Sequence, residues 1–172
     1  YRYYLKEANV VTKAEKTVEE LKKKSMTVSF AESCTGGLLA KMITDVSGSS
    51  AVFECGVVSY SNRIKHEILG VKNDTLEKYT AVSEQTVIEM AQGVKRLSGA
   101  DIAVSVSGIA GPGSDSSGLP VGLIWICVIL KNKTVTKKLT NSFDENVREN
   151  NRLSAAEAVF DMILSILGSE SK

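Results

Sequence analysis

The segment that decides the fold reads Ala31-Glu32-Ser33-Cys34-Thr35-Gly36-Gly37. It follows an apolar run over residues 26–30, which is typical of a buried strand, and it precedes residues 37–46, whose pattern indicates a helix. A tight strand-to-helix turn leaves the first helical N–H groups without partners in the chain, and the helix dipole favours negative charge there. The two glycines allow a ligand to approach the backbone closely. The turn is therefore predicted to accept an anionic or polar group.

Two hydroxyl side chains, Ser33 and Thr35, lie in this turn. A nucleophilic hydroxyl beside backbone donors that bind an oxyanion is suited to acyl transfer. Serine and threonine are also ordinary N-terminal caps of helices. The turn by itself leaves both interpretations open, a helix cap and an active site.

The composition favours one globular domain over residues 1–172, with residues 1–8 as a tail or linker. Apolar residues make up 43% of the chain and charged residues 24%, and the net charge is +1. A charge so close to zero predicts no nucleic-acid partner, and no apolar run approaches the length of about 20 residues that a membrane helix needs. The chain begins at Tyr1 rather than Met, which is compatible with a fragment of a longer protein.

Cysteine and histidine usage narrows the chemistry. The three cysteines, Cys34, Cys55 and Cys127, are an odd number without paired spacing, which favours free thiols and a cytoplasmic location. The single histidine, His66, lies in a polar stretch and is predicted to be on the surface. A zinc site and a Ser-His-Asp triad are therefore poorly supported, and we expect no metal and no cofactor.

The rest of the chain alternates between helical and strand patterns. Helices are predicted over residues 9–24, 63–69, 84–97 and 145–167, and strands over residues 53–60, 101–106, 121–130 and 134–140. The last two strands are predicted to form an antiparallel hairpin. The alternation predicts an α/β fold with a mixed, mostly parallel sheet. In such sheets the site lies beyond the carboxyl ends of the strands, where the Ser33 turn, the Tyr60 segment and the loop 107–120 would converge.

Lys65 and Tyr60 offer an amine and a phenol to that site. A lysine kept neutral by partial burial can take a proton from Ser33. Tyr60 could relay this proton or orient the reacting groups. The alternative is that Lys65 is an exposed surface lysine and Tyr60 a packing residue at the end of its strand. The residue types alone do not decide between these interpretations.

Two further elements offer anion-binding groups. Residues 108–113 supply backbone N–H groups, without the lysine-serine ending of a Walker loop. Arg148 and Arg152 are four residues apart, so they share one face of the last helix and could bind a phosphate or carboxylate. The alternatives are a mobile surface loop and a solvated helix face.

Five motifs occur in an order that resembles a known family. They are AESCTGG at 31–37, YSN at 60–62 with Lys65, AVSE at 81–84, SGIAGP at 107–112 and PVG at 120–122. Together they resemble the C-terminal domain of competence/damage-inducible protein CinA, which also occurs alone as a nicotinamide-nucleotide amidohydrolase. The resemblance covers residues 10–167. It implies a three-layer α/β/α sandwich around a mixed sheet of about five strands.

The resemblance also implies an activity, the hydrolysis of nicotinamide mononucleotide to nicotinate mononucleotide and ammonia. It implies Ser33 as nucleophile and Lys65 as base, with Tyr60 and Thr35 as catalytic neighbours. The implied substrate-binding residues are Glu32, Gly36, Gly37, Asn62, Ser107, Gly108, Ile109, Ala110, Gly111, Arg148 and Arg152. The partner would be a small molecule, with a homodimer as a possible assembly. The alternatives are a nucleotide- or anion-binding module without turnover and an interaction domain of a DNA-uptake or repair protein.

The chain departs from the family pattern at two places. A glycine-aspartate-arginine element usually follows the phenylalanine at Phe143, whereas residues 144–148 here read DENVR. Leu119 stands where a lysine often precedes the proline. Both departures lie in segments expected to contact the phosphate end of the substrate, and neither touches the Ser33 motif.

Overall fold

A single five-stranded sheet forms the centre of the computed structural model, which describes residues 11–114 and 116–169. The strands lie in the order β2-β1-β3-β4-β5. Their bounds are β1 Val28–Glu32, β2 Phe53–Val58, β3 Ile102–Gly108, β4 Leu123–Leu130 and β5 Lys133–Thr140. Strand β1 pairs in parallel with both β2 and β3, and β4 is antiparallel to β3 and β5. Only β4 thus runs against the others, which confirms the prediction of a mixed, mostly parallel sheet with a terminal hairpin.

Six α-helices of the described residues cover both faces of the sheet. They are α1 Lys13–Lys24, α2 Leu38–Thr44, α3 Asn62–Leu69, α4 Asn73–Tyr79, α5 Glu84–Ser98 and α6 Val147–Ser169. Helices α1, α2 and α6 pack their apolar residues on one face, where Phe30 and Phe160 are fully buried. Helices α3, α4 and α5 pack on the other face, around Met90 and Leu69. The fold is the predicted three-layer α/β/α sandwich.

Strand β1 alternates its side chains between the two cores because successive residues of a strand point to opposite faces. Val28 and Phe30 belong to the first core, whereas Ala31 belongs to the second. All five residues of β1 are buried, since the strand has neighbours on both sides and helices on both faces. A strand in this position fixes the start of the following turn.

Several boundaries differ from the sequence-based prediction. Strand β1 ends at Glu32, two residues later than predicted, because Glu32 still pairs with strands β2 and β3 despite its polar side chain. Helix α1 begins at Lys13, where Thr12 and Glu15 form a capping box. The predicted start at residue 9 and the tail over residues 1–8 lie outside the described residues. Helix α4 was not predicted because it buries only Thr75 and Leu76 and so lacks an apolar stripe.

Serine residues cap the N-termini of α3 and α5, two helices that begin close to the site. The Ser61 hydroxyl accepts the N–H of Ile64 at 3.2 Å and starts α3, so that Lys65 lies in the first turn of that helix. The Ser83 hydroxyl accepts the N–H of Thr86 at 3.2 Å and starts α5. Such caps satisfy helical N–H groups that otherwise lack partners.

Candidate active site

A cavity of about 410 Å³ lies where the three parallel strands end. The turn after β1 contributes Ser33, the segment after β2 contributes Tyr60 and Lys65, and the end of β3 contributes Ser107. Helix α6 adds Arg148. The predicted convergence of these segments at one edge of the sheet is therefore what the fold shows.

Lys65 and Ser33 are in direct contact. Lys65 Nζ lies 3.1 Å from Ser33 Oγ, and it also lies 2.8 Å from the carbonyl oxygen of Ser59 and 3.2 Å from that of Tyr60. The two residues are 32 positions apart in the chain, so only the pairing of β1 with β2 brings them together. A nucleophile and a base within hydrogen-bond distance are the arrangement that nucleophilic catalysis requires.

The Lys65 side chain is buried, with 1% of its surface exposed. Burial disfavours the charged ammonium, so it lowers the pKa of Lys65 from its usual 10.5 to about 8. No carboxylate is bonded to the amine among the described residues. The neutral amine is therefore more abundant near neutral pH than in an exposed lysine, although the ammonium still predominates below pH 8.

The surroundings of Nζ can serve the amine in either protonation state. A neutral amine has two N–H groups and one lone pair, whereas an ammonium has three N–H groups and no acceptor. The two carbonyl oxygens of Ser59 and Tyr60 can only accept, so they take the two N–H groups. The lone pair is then left for the hydroxyl of Ser33, which can donate its proton. The ammonium donates to Ser33 Oγ, whereas the neutral amine is placed to accept the proton of Ser33.

Some backbone N–H groups of the turn have acceptors among the described residues, and two others do not. Ser33 N–H donates to the Val106 carbonyl at 3.0 Å, and Gly36 N–H donates to the Ser33 carbonyl at 3.0 Å. Gly37 N–H donates to the Glu32 carboxylate at 3.0 Å. The N–H groups of Cys34 and Thr35 donate to no other residue within the described parts of the chain. Of these two residues, Cys34 lines the cavity beside Ser33.

The N-terminus of α2 is occupied by the chain itself. The Glu32 carboxylate is buried and accepts the N–H groups of Gly37, Leu39 and Ala40 at 3.0, 3.1 and 2.9 Å. A carboxylate in this position satisfies the helical donors and is stabilised by the helix dipole. Glu32, Gly36 and Gly37 do not line the cavity, so the expectation that they contact the substrate directly differs from the structure. The predicted anion site at this helix start is filled by a side chain that precedes it.

The two arginines of α6 have different partners. Arg148 lines the cavity, where its Nη1 donates to the Gly111 carbonyl at 2.8 Å and its Nη2 to the Tyr60 hydroxyl at 3.0 Å. Arg152 donates from Nε and Nη2 to the Thr35 carbonyl at 3.2 and 2.7 Å, and it does not line the cavity. The shared helix face was predicted correctly, but the expected substrate contact fits Arg148 and not Arg152.

The end of β3 and the loop after it are held by two hydrogen bonds to other segments. Ser107 Oγ donates to the Ala81 carbonyl at 2.7 Å, and Asn151 Nδ2 donates to the Ala110 carbonyl at 3.0 Å. Gly111 has φ +84°, and a Cβ there would lie 2.5 Å from Val121 Cγ1, so only glycine fits. The five residues predicted from this loop, 107–111, and Asn62 all line the cavity.

Comparison with known proteins agrees with this geometry. The family model for the CinA C-terminal domain matches residues 11–167. The chain belongs to the CinA C-terminal domain family. A protein of Enterobacter agglomerans named nicotinamide-nucleotide amidohydrolase PncC is 56% identical over 137 residues, which are 79% of this chain and 82% of that protein. A putative competence-damage inducible protein of Thermoanaerobacter pseudethanolicus is 46% identical over 88% of this chain, which spans only 37% of that relative's length.

Solved structures of this family have the same fold. Competence/damage inducible protein CihA from Agrobacterium tumefaciens is similar with a TM-score of 0.85 and 37% identity, over 91% of this chain and 93% of that chain. A CinA superfamily protein from Klebsiella pneumoniae has the same TM-score at 31% identity, over 92% of this chain and 99% of that chain. The resemblance predicted from the five motifs is confirmed.

Some cavity residues of this CinA domain were not predicted. Cys34 lines the cavity directly after Ser33, and the wall opposite the loop is formed by Leu76 and the segment 80–82. Leu76 was not predicted as a site residue because helix α4, which carries it, was not predicted. Thr80 has φ +67°, a conformation that is uncommon for a β-branched residue and that the sequence does not indicate.

The Thr35 and Tyr60 side chains were predicted to be catalytic neighbours of Ser33 and Lys65, but neither side chain bonds to them. Thr35 is fully buried, its hydroxyl has no hydrogen-bond partner among the described residues, and it does not line the cavity. Tyr60 is 61% exposed, and its hydroxyl bonds to Arg148 rather than to Lys65 or Ser33. Tyr60 instead orients Lys65 through its backbone carbonyl.

Other nucleophiles and bases of the CinA domain are less suited to the chemistry. Burial raises the pKa of the Cys34 thiol to about 12, so it stays protonated at neutral pH. His66 is exposed and does not line the cavity, as predicted for a surface residue. Cys34, Cys55 and Cys127 are free thiols. In residues 11–114 and 116–169, no group of three or more His, Cys, Asp and Glu side chains is placed to hold a metal ion.

None of the helices within the described residues combines the length and the apolar character needed to cross a membrane.

Proposed function

We propose that this CinA domain is an amidohydrolase that converts nicotinamide mononucleotide to nicotinate mononucleotide and ammonia. The observation that carries the proposal is the contact of 3.1 Å between the buried Lys65 amine and Ser33 Oγ. The name of the Enterobacter relative, nicotinamide-nucleotide amidohydrolase, supports this choice of substrate. The cavity volume of about 410 Å³ is within the range of small-molecule sites.

The first step is acylation of Ser33. The lone pair of Lys65 takes the Ser33 proton while Oγ attacks the carboxamide carbon, which forms a tetrahedral intermediate with a negative oxygen. The ammonium of Lys65 then returns the proton to the amide nitrogen, and the C–N bond breaks to release ammonia. The products of this step are an ester on Ser33 and a neutral Lys65.

The second step is hydrolysis of that ester. Water loses a proton to Lys65 and attacks the acyl carbon, and the proton passes to Ser33 Oγ as the C–O bond breaks. The nicotinate product carries the new oxygen. Lys65 is suited to both steps because a base whose pKa lies near the working pH can take and return protons.

The developing oxyanion needs donors that no other group has taken. Among the described residues, the N–H groups of Cys34 and Thr35 meet this condition, whereas those of Gly36 and Gly37 are already bonded. The sequence had indicated backbone donors in this turn without singling out a residue. We favour the N–H of Cys34 for this role, because Cys34 follows Ser33 and lines the cavity, whereas Thr35 does not.

The cavity also has groups that suit the rest of the nucleotide. Leu76, Val82 and Ile109 offer apolar contacts for the pyridine ring, and the Arg148 guanidinium offers charge-assisted hydrogen bonds to the phosphate. Arg148 keeps N–H groups beyond the two that bond to Gly111 and Tyr60. Among the described residues that line the cavity, Arg148 is the only cationic one apart from the buried Lys65.

The test is incubation of the purified chain with nicotinamide mononucleotide while ammonia is measured, with and without a chelator. We expect ammonia at an equal rate under both conditions. Tight binding of the nucleotide by folded protein without ammonia release would favour the alternative of a binding module without turnover. Loss of activity on chelation would contradict the mechanism, which uses no metal. Cytoplasmic location and a homodimer stay predictions.

A further inference from the structure

Arg152 holds the backbone of the turn that carries Ser33. Its Nε and Nη2 donate to the Thr35 carbonyl oxygen at 3.2 and 2.7 Å, and Leu38 N–H donates to the same oxygen at 3.2 Å. The guanidinium is half-buried, and Arg152 does not belong to the described residues that line the cavity. An arginine placed in this way acts on the protein backbone and not on a bound ligand.

A chain of hydrogen bonds leads from Arg152 to the cavity. The Thr35 carbonyl and the Gly36 N–H belong to one peptide unit, and this N–H donates to the Ser33 carbonyl at 3.0 Å. The Ser33 carbonyl belongs to the next such unit, whose N–H is that of Cys34. The chain thus runs from the guanidinium through two peptide units to the N–H of Cys34, the residue that follows Ser33.

Hydrogen bonds in such a chain strengthen one another. A carbonyl that accepts a hydrogen bond polarises its peptide unit, so the N–H at the other end of that unit becomes a stronger donor. Here the chain starts at a full positive charge, and charge-assisted hydrogen bonds are the stronger kind. The two links also fix the orientations of both peptide planes, since each plane is held at its carbonyl end.

We propose that Arg152 is a positioning residue that orients and polarises the Cys34 N–H so that it can stabilise the oxyanion. The inference rests on the proposed function, since it presupposes attack by Ser33 on a carbonyl or a similar electrophile. Negative charge on the oxyanion develops only in the transition state, so loss of Arg152 acts on kcat and leaves KM nearly unchanged. The spacing of Arg152 with Arg148 had instead indicated a phosphate contact, whose loss would raise KM.

The first test observes the Cys34 N–H directly. Labelling with ¹⁵N-cysteine gives three amide signals, because the chain has three cysteines. In R152Q we expect the amide proton of Cys34 to move upfield, since its peptide unit is less polarised, whereas those of Cys55 and Cys127 stay in place. An unchanged Cys34 signal would overturn the proposal. Equal movement of all three signals would also overturn it, because that indicates a general structural change.

The second test measures the reactivity of Ser33 with a fluorophosphonate, which needs no nicotinamide substrate. Ser33 Oγ forms a bond to phosphorus, fluoride leaves, the serine proton passes to Lys65, and the phosphoryl oxygen occupies the oxyanion site. Removal of one oxyanion donor costs about 10²–10³-fold in rate, so a weakened donor in R152Q should slow labelling about tenfold. R152K keeps the charge without the paired contact and should lie between R152Q and the wild type.

R96Q is the matched control, because Arg96 also donates to a backbone carbonyl, that of Leu69 at 3.0 Å, outside the cavity. Its labelling rate should equal that of the wild type. Equal labelling rates in R152Q and the wild type would overturn the proposed role of Arg152, but they would leave Ser33 as the nucleophile. Absence of labelling at Ser33 in the wild type would remove the nucleophile and with it both proposals. If R152Q unfolds, the comparison of R152K with R96Q decides the proposal.

Discussion

At the scale of single residues, the chemistry depends on how Lys65 is surrounded. Two backbone carbonyls and one hydroxyl lie within 3.2 Å of Nζ, and burial lowers the pKa of Lys65 to about 8. A lysine on the surface would remain charged and could not act as a base near neutral pH. The same residue type thus serves as a base only because of where the fold places it.

Substitution of Ser33 and Lys65 tests whether the two act as one unit. We expect S33A and K65M each to lower turnover by more than about 10³-fold, and the double variant to be no slower than the slower single one. If Ser33 were only a helix cap, S33A would cost about 0.5–2 kcal/mol of stability and leave turnover near normal. Turnover and thermal midpoints of all three variants decide between these outcomes, and additive losses would argue against a shared step.

Substitution of Arg148 tests the phosphate contact. Hydrogen bonds to charged groups contribute about 1.5–3 kcal/mol, so R148A should raise KM for the mononucleotide by about 10–100-fold with kcat little changed. The riboside, which lacks the phosphate, serves as the control ligand, because its KM or inhibition constant should be the same in R148A and the wild type. Equal weakening of both ligands would show that Arg148 acts through Tyr60 and Gly111 and not on the phosphate.

At the scale of elements, the turn between β1 and α2 is held by charged groups at two points. The Glu32 carboxylate accepts three N–H groups at the start of α2, and the Arg152 guanidinium binds the Thr35 carbonyl. Gly37, the N-cap residue, has φ +92° and no side chain to cap the helix. The short helix therefore depends on a carboxylate from the preceding strand.

Removal of the Glu32 carboxylate should destabilise the protein. E32A leaves three donors without their charged acceptor, so we expect a loss of about 2–3 kcal/mol in the free energy of unfolding. E32Q retains one acceptor oxygen and should lose less. The control is E20A, because Glu20 forms only a solvent-exposed ion pair with Lys23, and such pairs contribute little to stability. Urea denaturation gives all three values, and an effect of E32A as small as that of E20A would contradict the proposed cap.

At the scale of the whole molecule, the buried Lys65 links folding to pH. Its pKa is about 8 in the folded protein and about 10.5 in the unfolded chain. Below pH 8 both states hold the proton, and the folded state bears the full cost of a buried charge. Between about pH 8 and 10.5 the folded protein has released the proton and the unfolded chain has not, so this contribution to stability rises with pH.

We therefore expect the difference in unfolding free energy between the wild type and K65M to shift in favour of the wild type from pH 8 to 10. Groups that titrate in both proteins, such as the other lysines, largely cancel in this difference. The kcat/KM of the wild type should rise with pH around an apparent pKa of about 8, since the neutral amine is the base. A pH-independent difference in stability, or a rate that falls through this range, would contradict a neutral Lys65.

Much of the fold could be predicted from local patterns. The apolar runs of β3 and β4 and the helical pattern of α5 gave the correct class, an α/β fold with a mixed sheet, and the family resemblance gave the three layers. Helix α4 was not predicted because two buried side chains in seven residues give no periodic pattern. The end of β1 was placed too early because Glu32 is polar, although it is fully buried in the sheet.

The sequence by itself determined the family, the order along the chain of the strands and of the helices other than α4, and the residue types at the site. Those properties follow from periodicity, turn residues and motifs, which are local along the chain. Only the tertiary structure decided that Lys65 is buried against Ser33, that Glu32 fills the helix N-terminus, and that Arg148 and not Arg152 lines the cavity. Each of these depends on which atoms surround a group, and burial, pKa and the direction of a hydrogen bond are set by neighbours distant in the chain.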